Sequence, residues 1–161
     1  MKTNKLTYLA ISTALYVALS ALVKVPIIAH IQTDLGYIVF GFALYMFGWQ
    51  AFIVGAIGCI IESMLFVGWF PIGWALGQMV IGIICGIIYK ETKSTIAQIL
   101  VTILAVFIGV ALIKTGVECI LYNIPFAVKI VKNLIAFVAD TIPMIAGLLI
   151  AKKYGSKIVR R

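Results

Sequence analysis

From Leu35 to Val67 the chain runs for 33 residues with Glu62 as its single charged side chain. As one straight helix this run would extend about 50 Å, against a hydrocarbon core of about 30 Å. In water it would expose far more contiguous apolar surface than a soluble domain tolerates. The run is therefore expected to lie in a membrane and to fold back on itself, with the turn at Gly48-Trp49-Gln50.

The rest of the chain agrees, since 64% of its residues are hydrophobic and 11% charged, too few charges for an ordinary water-facing surface. At roughly 20 apolar residues per crossing, the sequence predicts an all-α integral membrane bundle of six transmembrane helices. They are expected at about 6–28, 35–47, 50–66, 71–89, 96–121 and 132–151, in a single transmembrane domain covering residues 1–161. The first stretch follows Lys2 and Lys5. It runs on for about 23 residues without a small-residue cleavage site, and so is expected to be a retained span.

A formal net charge of +8 would suggest nucleic acid in a soluble protein, but the cations are placed otherwise. Nine of the thirteen lie at the N-terminus, at Lys90 with Lys93, and between Lys152 and Arg161. Six crossings put all three groups on one side, so the positive-inside rule predicts cytoplasmic termini and leaves Lys24, Lys129 and Lys132 outside. Cys59, Cys85 and Cys119 fall in separate apolar segments without metal-ligand or disulfide spacing, which fits buried packing. No phosphate loop, zinc-protease, serine-hydrolase or kinase signature occurs, so no enzymatic activity, cofactor or metal is expected.

Ionisable groups at membrane depth cost at least about 2.5 kcal/mol and usually face a partner or an aqueous cavity. With the helix limits above, Glu62, Lys114, Glu118 and Asp140 fall at similar depths in the outer half, together with Gln78. Gln32, Asp34, Tyr37, Trp69, Trp74, Tyr122 and Asn123 surround them on loops and helix ends. Hydrogen-bonding groups mixed with aromatic faces suit a flat polar heterocycle. The expected substrate-binding set is Gln32, Asp34, Tyr37, Glu62, Trp69, Trp74, Gln78, Lys114, Glu118, Asn123 and Asp140. For Lys114 and Glu118 a plain i,i+4 ion pair stands beside this reading, and for Trp69 and Trp74 interfacial anchoring.

Small residues recur at helical intervals: Ala10, Ala14 and Ala18 on the first helix, and Gly73 with Gly77 and Gly82 with Gly86 on the fourth. Such spacing lets helix backbones approach closely in lipid. The basic start, the Ala10/Ala14/Ala18 stripe and the segment from Ile31 to Tyr89, with Gln32-Thr33, Phe47-Gly48, Gly55-Ala56-Ile57-Gly58, Glu62 and Trp69 to Gly86, resemble the substrate-binding S component of an energy-coupling factor (ECF) transporter. The similarity is to the riboflavin- or hydroxymethylpyrimidine-type branch. It implies a subunit in the prokaryotic plasma membrane that binds a water-soluble vitamin or precursor from outside. It also implies docking through Ala10, Ala14 and Ala18 on a transmembrane coupling subunit that carries two cytoplasmic ATPases, and transport by toppling in the membrane. Two other classes fit the residues alone: a self-sufficient ion-coupled carrier or channel using Glu62, Glu118 and Asp140, and an assembly subunit whose polar residues hold a bundle together.

Overall fold

The computed structural model describes residues 3–22, 24–28, 31–66 and 68–159, with side chains described over 5–22, 34–66 and 68–155. Lys2, His30, Arg160 and Arg161, and the side chains of Lys24, Gln32 and Lys157, lie outside the described set.

Helix α1 (Thr3–Leu22) ends sooner than its apolar pattern suggests. Strands β1 (Lys24–Ile28) and β2 (Ile31–Asp34) follow it as an antiparallel hairpin, with Lys24 opposite Asp34 and Pro26 opposite Gln32. Pro26 lacks the amide a helix interior needs, and the β-branched residues beside it favour extended backbone. The helical class predicted from sequence thus acquires one extended element.

Next come α2 (Gly36–Phe47), a 3-10 turn (Gly48–Ala51), α3 (Phe52–Phe66) and α4 (Ile72–Glu91). A single long helical stretch is built from α5 (Thr95–Val106), a π-helical segment (Phe107–Lys114) and α6 (Thr115–Tyr122). The last helix, α7 (Phe126–Val159), starts earlier than 132 and keeps Pro143 inside it.

The expected count of six full spans is corrected. Among the described residues, five stretches are long and apolar enough to cross a membrane: Lys5–Leu22, Gly36–Phe66, Ile72–Glu91, Thr95–Tyr122 and Phe126–Gly155. The second contains both α2, of 12 residues, and α3, of 15. At 1.5 Å per residue these reach about 18 and 22 Å, each short of a hydrocarbon core of about 30 Å. They are not collinear. The Phe40 ring packs on Gly55, and Tyr16 reaches both Tyr37 and Gly58, which a straight helix would hold far apart. The chain turns back at Gly48, whose φ of 68° is the left-handed backbone that glycine adopts without strain.

Much of the outside is apolar, as lipid contact requires, with Leu6, Ile11, Met64, Leu104, Ile120 and Ile142 exposed. Inside, Phe40, Leu44, Val54, Ile81, Met144 and Leu148 are buried. Apolar side chains gain little by leaving lipid, so glycines that admit neighbouring backbones hold the helices together. Gly82 and Gly86 of α4 receive the backbone of Phe52 and the 48–49 turn, while Gly77 meets Gly109 of the π segment. Gly41 and Gly147 make a reciprocal contact between α2 and α7, each set against the other helix's backbone carbonyl. Gly147→Ala is therefore expected to cost about 1–3 kcal/mol, read as thermal unfolding in detergent. Gly116→Ala is the control, because a Cβ there meets nothing within 4 Å.

One end of the bundle is basic. The Lys152 ammonium donates to Thr95 Oγ1 at 2.6 Å and Gln98 Oε1 at 3.0 Å, and Tyr8 stacks on Phe47 with ring centroids 6.3 Å apart. Lys90 lies beside Gly48 at the same end. At the far end the loop before α4 meets the end of α6, Trp69 lying edge-on to Tyr122 with centroids 5.9 Å apart.

Candidate functional site

Toward that far end, two groups of buried polar side chains lie among apolar helices. The π segment delivers Lys114 into the bundle, 4% exposed, and α6 continues with Thr115 and Glu118 on the same side. The Lys114 ammonium donates to Asn133 Oδ1, lies 3.5 Å from Glu118 Oε1, and sits 4.1 Å from the centroid of the Trp74 ring. Asn133, on α7, donates to Thr115 Oγ1 at 2.8 Å and to Glu118 Oε2 at 3.4 Å. Lys129, one turn earlier on α7, closes on Glu118 Oε2 at 3.2 Å. Two ammonium groups thus share one carboxylate, which leaves this cluster with a surplus positive charge. Gly73 makes room for it, since a Cβ there would press on Glu118 and Lys114.

The second group gathers where the hairpin meets α1, α2, α4 and α7. Asp34 accepts from the Gly36 amide at 2.7 Å and from the Tyr16 hydroxyl at 3.3 Å. Burial pushes the Asp34 carboxyl above the usual carboxylate range, against hydrogen bonds that pull it down. Asp140, 3% exposed, lies within reach of the fields of Tyr37 and Asp34. The Tyr37 oxygen accepts from Gln78 Nε2 at 2.5 Å, while Gln78 Oε1, fully buried, has no partner among the described residues. Asp140 and Lys114 lie within reach of each other's field.

Of the residues expected from sequence, the structure brings Trp74, Lys114 and Glu118 into the first group and Asp34, Tyr37, Gln78 and Asp140 into the second. Glu62, half-buried on α3, accepts from Ser63 Oγ at 3.3 Å, and its charge acts on Asp34 of the second group. Trp69 is exposed on the loop before α4, and Asn123, also exposed, ends α6 in left-handed backbone at φ 54°. The Gln32 backbone pairs with Pro26, and its side chain is outside the described set.

Tyr16 and Asn133 were not anticipated. Tyr16 reads as an ordinary apolar position of α1. Asn133 had a signal: seven residues before Asp140, it shares a face with that acid once α7 is helical from Phe126.

Ala10, Ala14 and Ala18 are exposed on α1. With Ile53, Ile57 and Ile61 of α3 they line a groove of about 790 Å³ whose walls are almost wholly apolar. No residue of either polar group lines it.

The family profile described as "ECF-type riboflavin transporter, S component" matches residues 1–156. Among solved structures, the fold is similar to the crystal structure of an S component for biotin from an ECF-type ABC transporter. The two share 19% sequence identity and a TM-score of 0.65, over 97% of this chain and 95% of that one. No curated protein matches the chain.

Proposed function

Because the chain belongs to the family of S components of ECF-type riboflavin transporters, a multi-pass membrane component of a transporter, we propose that it captures a water-soluble vitamin or vitamin precursor with a flavin- or pyrimidine-like ring. In this reading it stands in a prokaryotic plasma membrane with both termini cytoplasmic, and the far end of the bundle faces outward. The basic groups at Lys90, Lys93 and Lys152 favour that orientation. Uptake is driven by ATP hydrolysed on two cytoplasmic partner subunits, joined through a transmembrane coupling subunit that docks on Ala10, Ala14 and Ala18. The chain itself carries no nucleotide motif.

The observation that carries the ligand-binding part is the convergence of two buried polar groups on one stretch of the bundle. Burying this many polar and charged groups is costly in a membrane unless they serve a bound molecule or one another. Asp34, Tyr37, Gln78 and Asp140 supply acceptors and hydroxyls for the ring edge, and Lys114 and Trp74 supply a cation and an aromatic face. Glu118, already bonded by Lys114, Asn133 and Lys129, shapes the pocket. Gln32, Glu62, Trp69 and Asn123 belong to its rim. Mass spectrometry of small molecules released from the purified protein tests this directly. A flavin or pyrimidine compound is expected. Recovery of none, with no thermal shift across a panel of vitamins, would overturn the reading in favour of an assembly subunit.

A further inference from the structure

The two polar groups differ in what they lack. In the first, Lys114, Thr115, Glu118, Lys129 and Asn133 bond one another, yet two ammonium groups stand against one carboxylate. A ligand gains there by bringing an acceptor or a negative group. In the second, Gln78 Nε2 donates to the Tyr37 oxygen, and the Asp140 carboxyl lies close enough for its charge to act on Tyr37. What remains there is acceptor: the carboxyls of Asp140 and Asp34, and Gln78 Oε1, buried with no partner among the described residues. A buried acceptor without a donor loses the free energy of a hydrogen bond to water, so this end gains from a ligand N–H.

Helix geometry fixes how the ends are related. Trp74 and Gln78 are four residues apart on α4, and Asn133 and Asp140 are seven apart on α7, so each pair lies on one face of its helix. The separations are about 6 Å along α4 and about 10 Å along α7, the span of one or two fused rings.

We infer that the ligand is held in a single orientation, with a ring or exocyclic N–H directed at Gln78, Asp140 and Asp34, and an acceptor edge directed at Lys114 beside the Trp74 ring. The inference rests on the proposed function and adds which edge of the molecule each residue reads. The shared chemistry, an N–H at one edge and an acceptor at the other, is met by a flavin through its imide and by an aminopyrimidine through its amino group.

Binding to the purified full-length protein separates these sources and tests the orientation. The probes are riboflavin with 3-methylriboflavin, and 4-amino-5-hydroxymethyl-2-methylpyrimidine with its 4-dimethylamino analogue. The parent that binds identifies the source. Methylation, which removes the N–H, is expected to weaken that ligand on the order of tenfold to a hundredfold. In Gln78→Met most of this penalty disappears, because the acceptor it depends on is gone. In Lys114→Met both parent and analogue weaken, and the penalty persists. A methylated analogue that binds as tightly as its parent overturns the inference while leaving vitamin binding intact. So does a penalty that survives Gln78→Met but vanishes in Lys114→Met. If neither parent binds, the ligand class proposed above fails first and the inference falls with it. Comparing parent and analogue on the unaltered protein needs no variant, so a Gln78→Met protein that misfolds leaves the test in place.

Discussion

Replacing Glu118 with leucine is expected to be among the most damaging single changes in the chain, lowering stability by about 3–5 kcal/mol, the cost of breaking a buried ion pair from one side. Glu118 is 4% exposed and serves Lys114, Lys129 and the Asn133 amide at once. Its loss strands one ammonium at membrane depth and leaves an amide donor without its acceptor. Lys129, 21% exposed near the start of α7, extends toward water. Lys114 is 4% exposed and has no such route. The double variant Glu118→Leu with Lys114→Met is accordingly expected to be more stable than Glu118→Leu alone. Thermal unfolding in detergent measures both. Equal losses in the single and double variants would mean that Lys114 is not the charge that suffers.

Ala14→Trp is expected to weaken docking on the coupling subunit by tenfold or more while leaving ligand affinity unchanged. Ala14 is exposed on α1 in the middle of the apolar groove shared with α3. An indole there fills space that an incoming helix would occupy, and overpacking a close interface costs about 1–3 kcal/mol. No residue of either polar group lines this groove. Co-purification with the coupling subunit reads the first effect and ligand titration the second. Lost ligand binding with intact docking would reverse the roles assigned to the two regions.

How legible the fold was depended on what each segment asked of the sequence. The fold-back after Phe47 follows from length, because 33 residues with one charge exceed a single crossing, and Gly48 marks the place. The number of full spans was misread because the expected helices 35–47 and 50–66 were each counted as a crossing, although at 1.5 Å per residue both fall short of a hydrocarbon core of about 30 Å. Their depth depends on where the hairpin delivers the chain. The hairpin itself was hidden: Pro26 announces a helix end, but pairing of Lys24 with Asp34 is a tertiary choice between strands of a few residues each.

Burial of polar groups was legible where its cost speaks. Lys114, Glu118, Asp140 and Gln78 stand out in apolar helices, and the structure gathers them into two groups. Glu62 stood out equally, and it sits half-buried on α3, hydrogen-bonded by Ser63. Asn133 escaped because the sequence places the start of the last helix near Lys132, which would leave Asn133 in its frayed first turn. The π segment has no sequence signature beyond Gly109, though it sets the angular position of Lys114.

The central claim is a binding subunit that needs partners to transport, and reconstitution into vesicles tests it most directly. With this chain alone, ligand is expected to bind without accumulating, even under a proton or sodium gradient. Adding the coupling subunit, its two ATPases and ATP is expected to start accumulation. Gradient-driven uptake by the chain alone would contradict the account and identify a self-sufficient carrier.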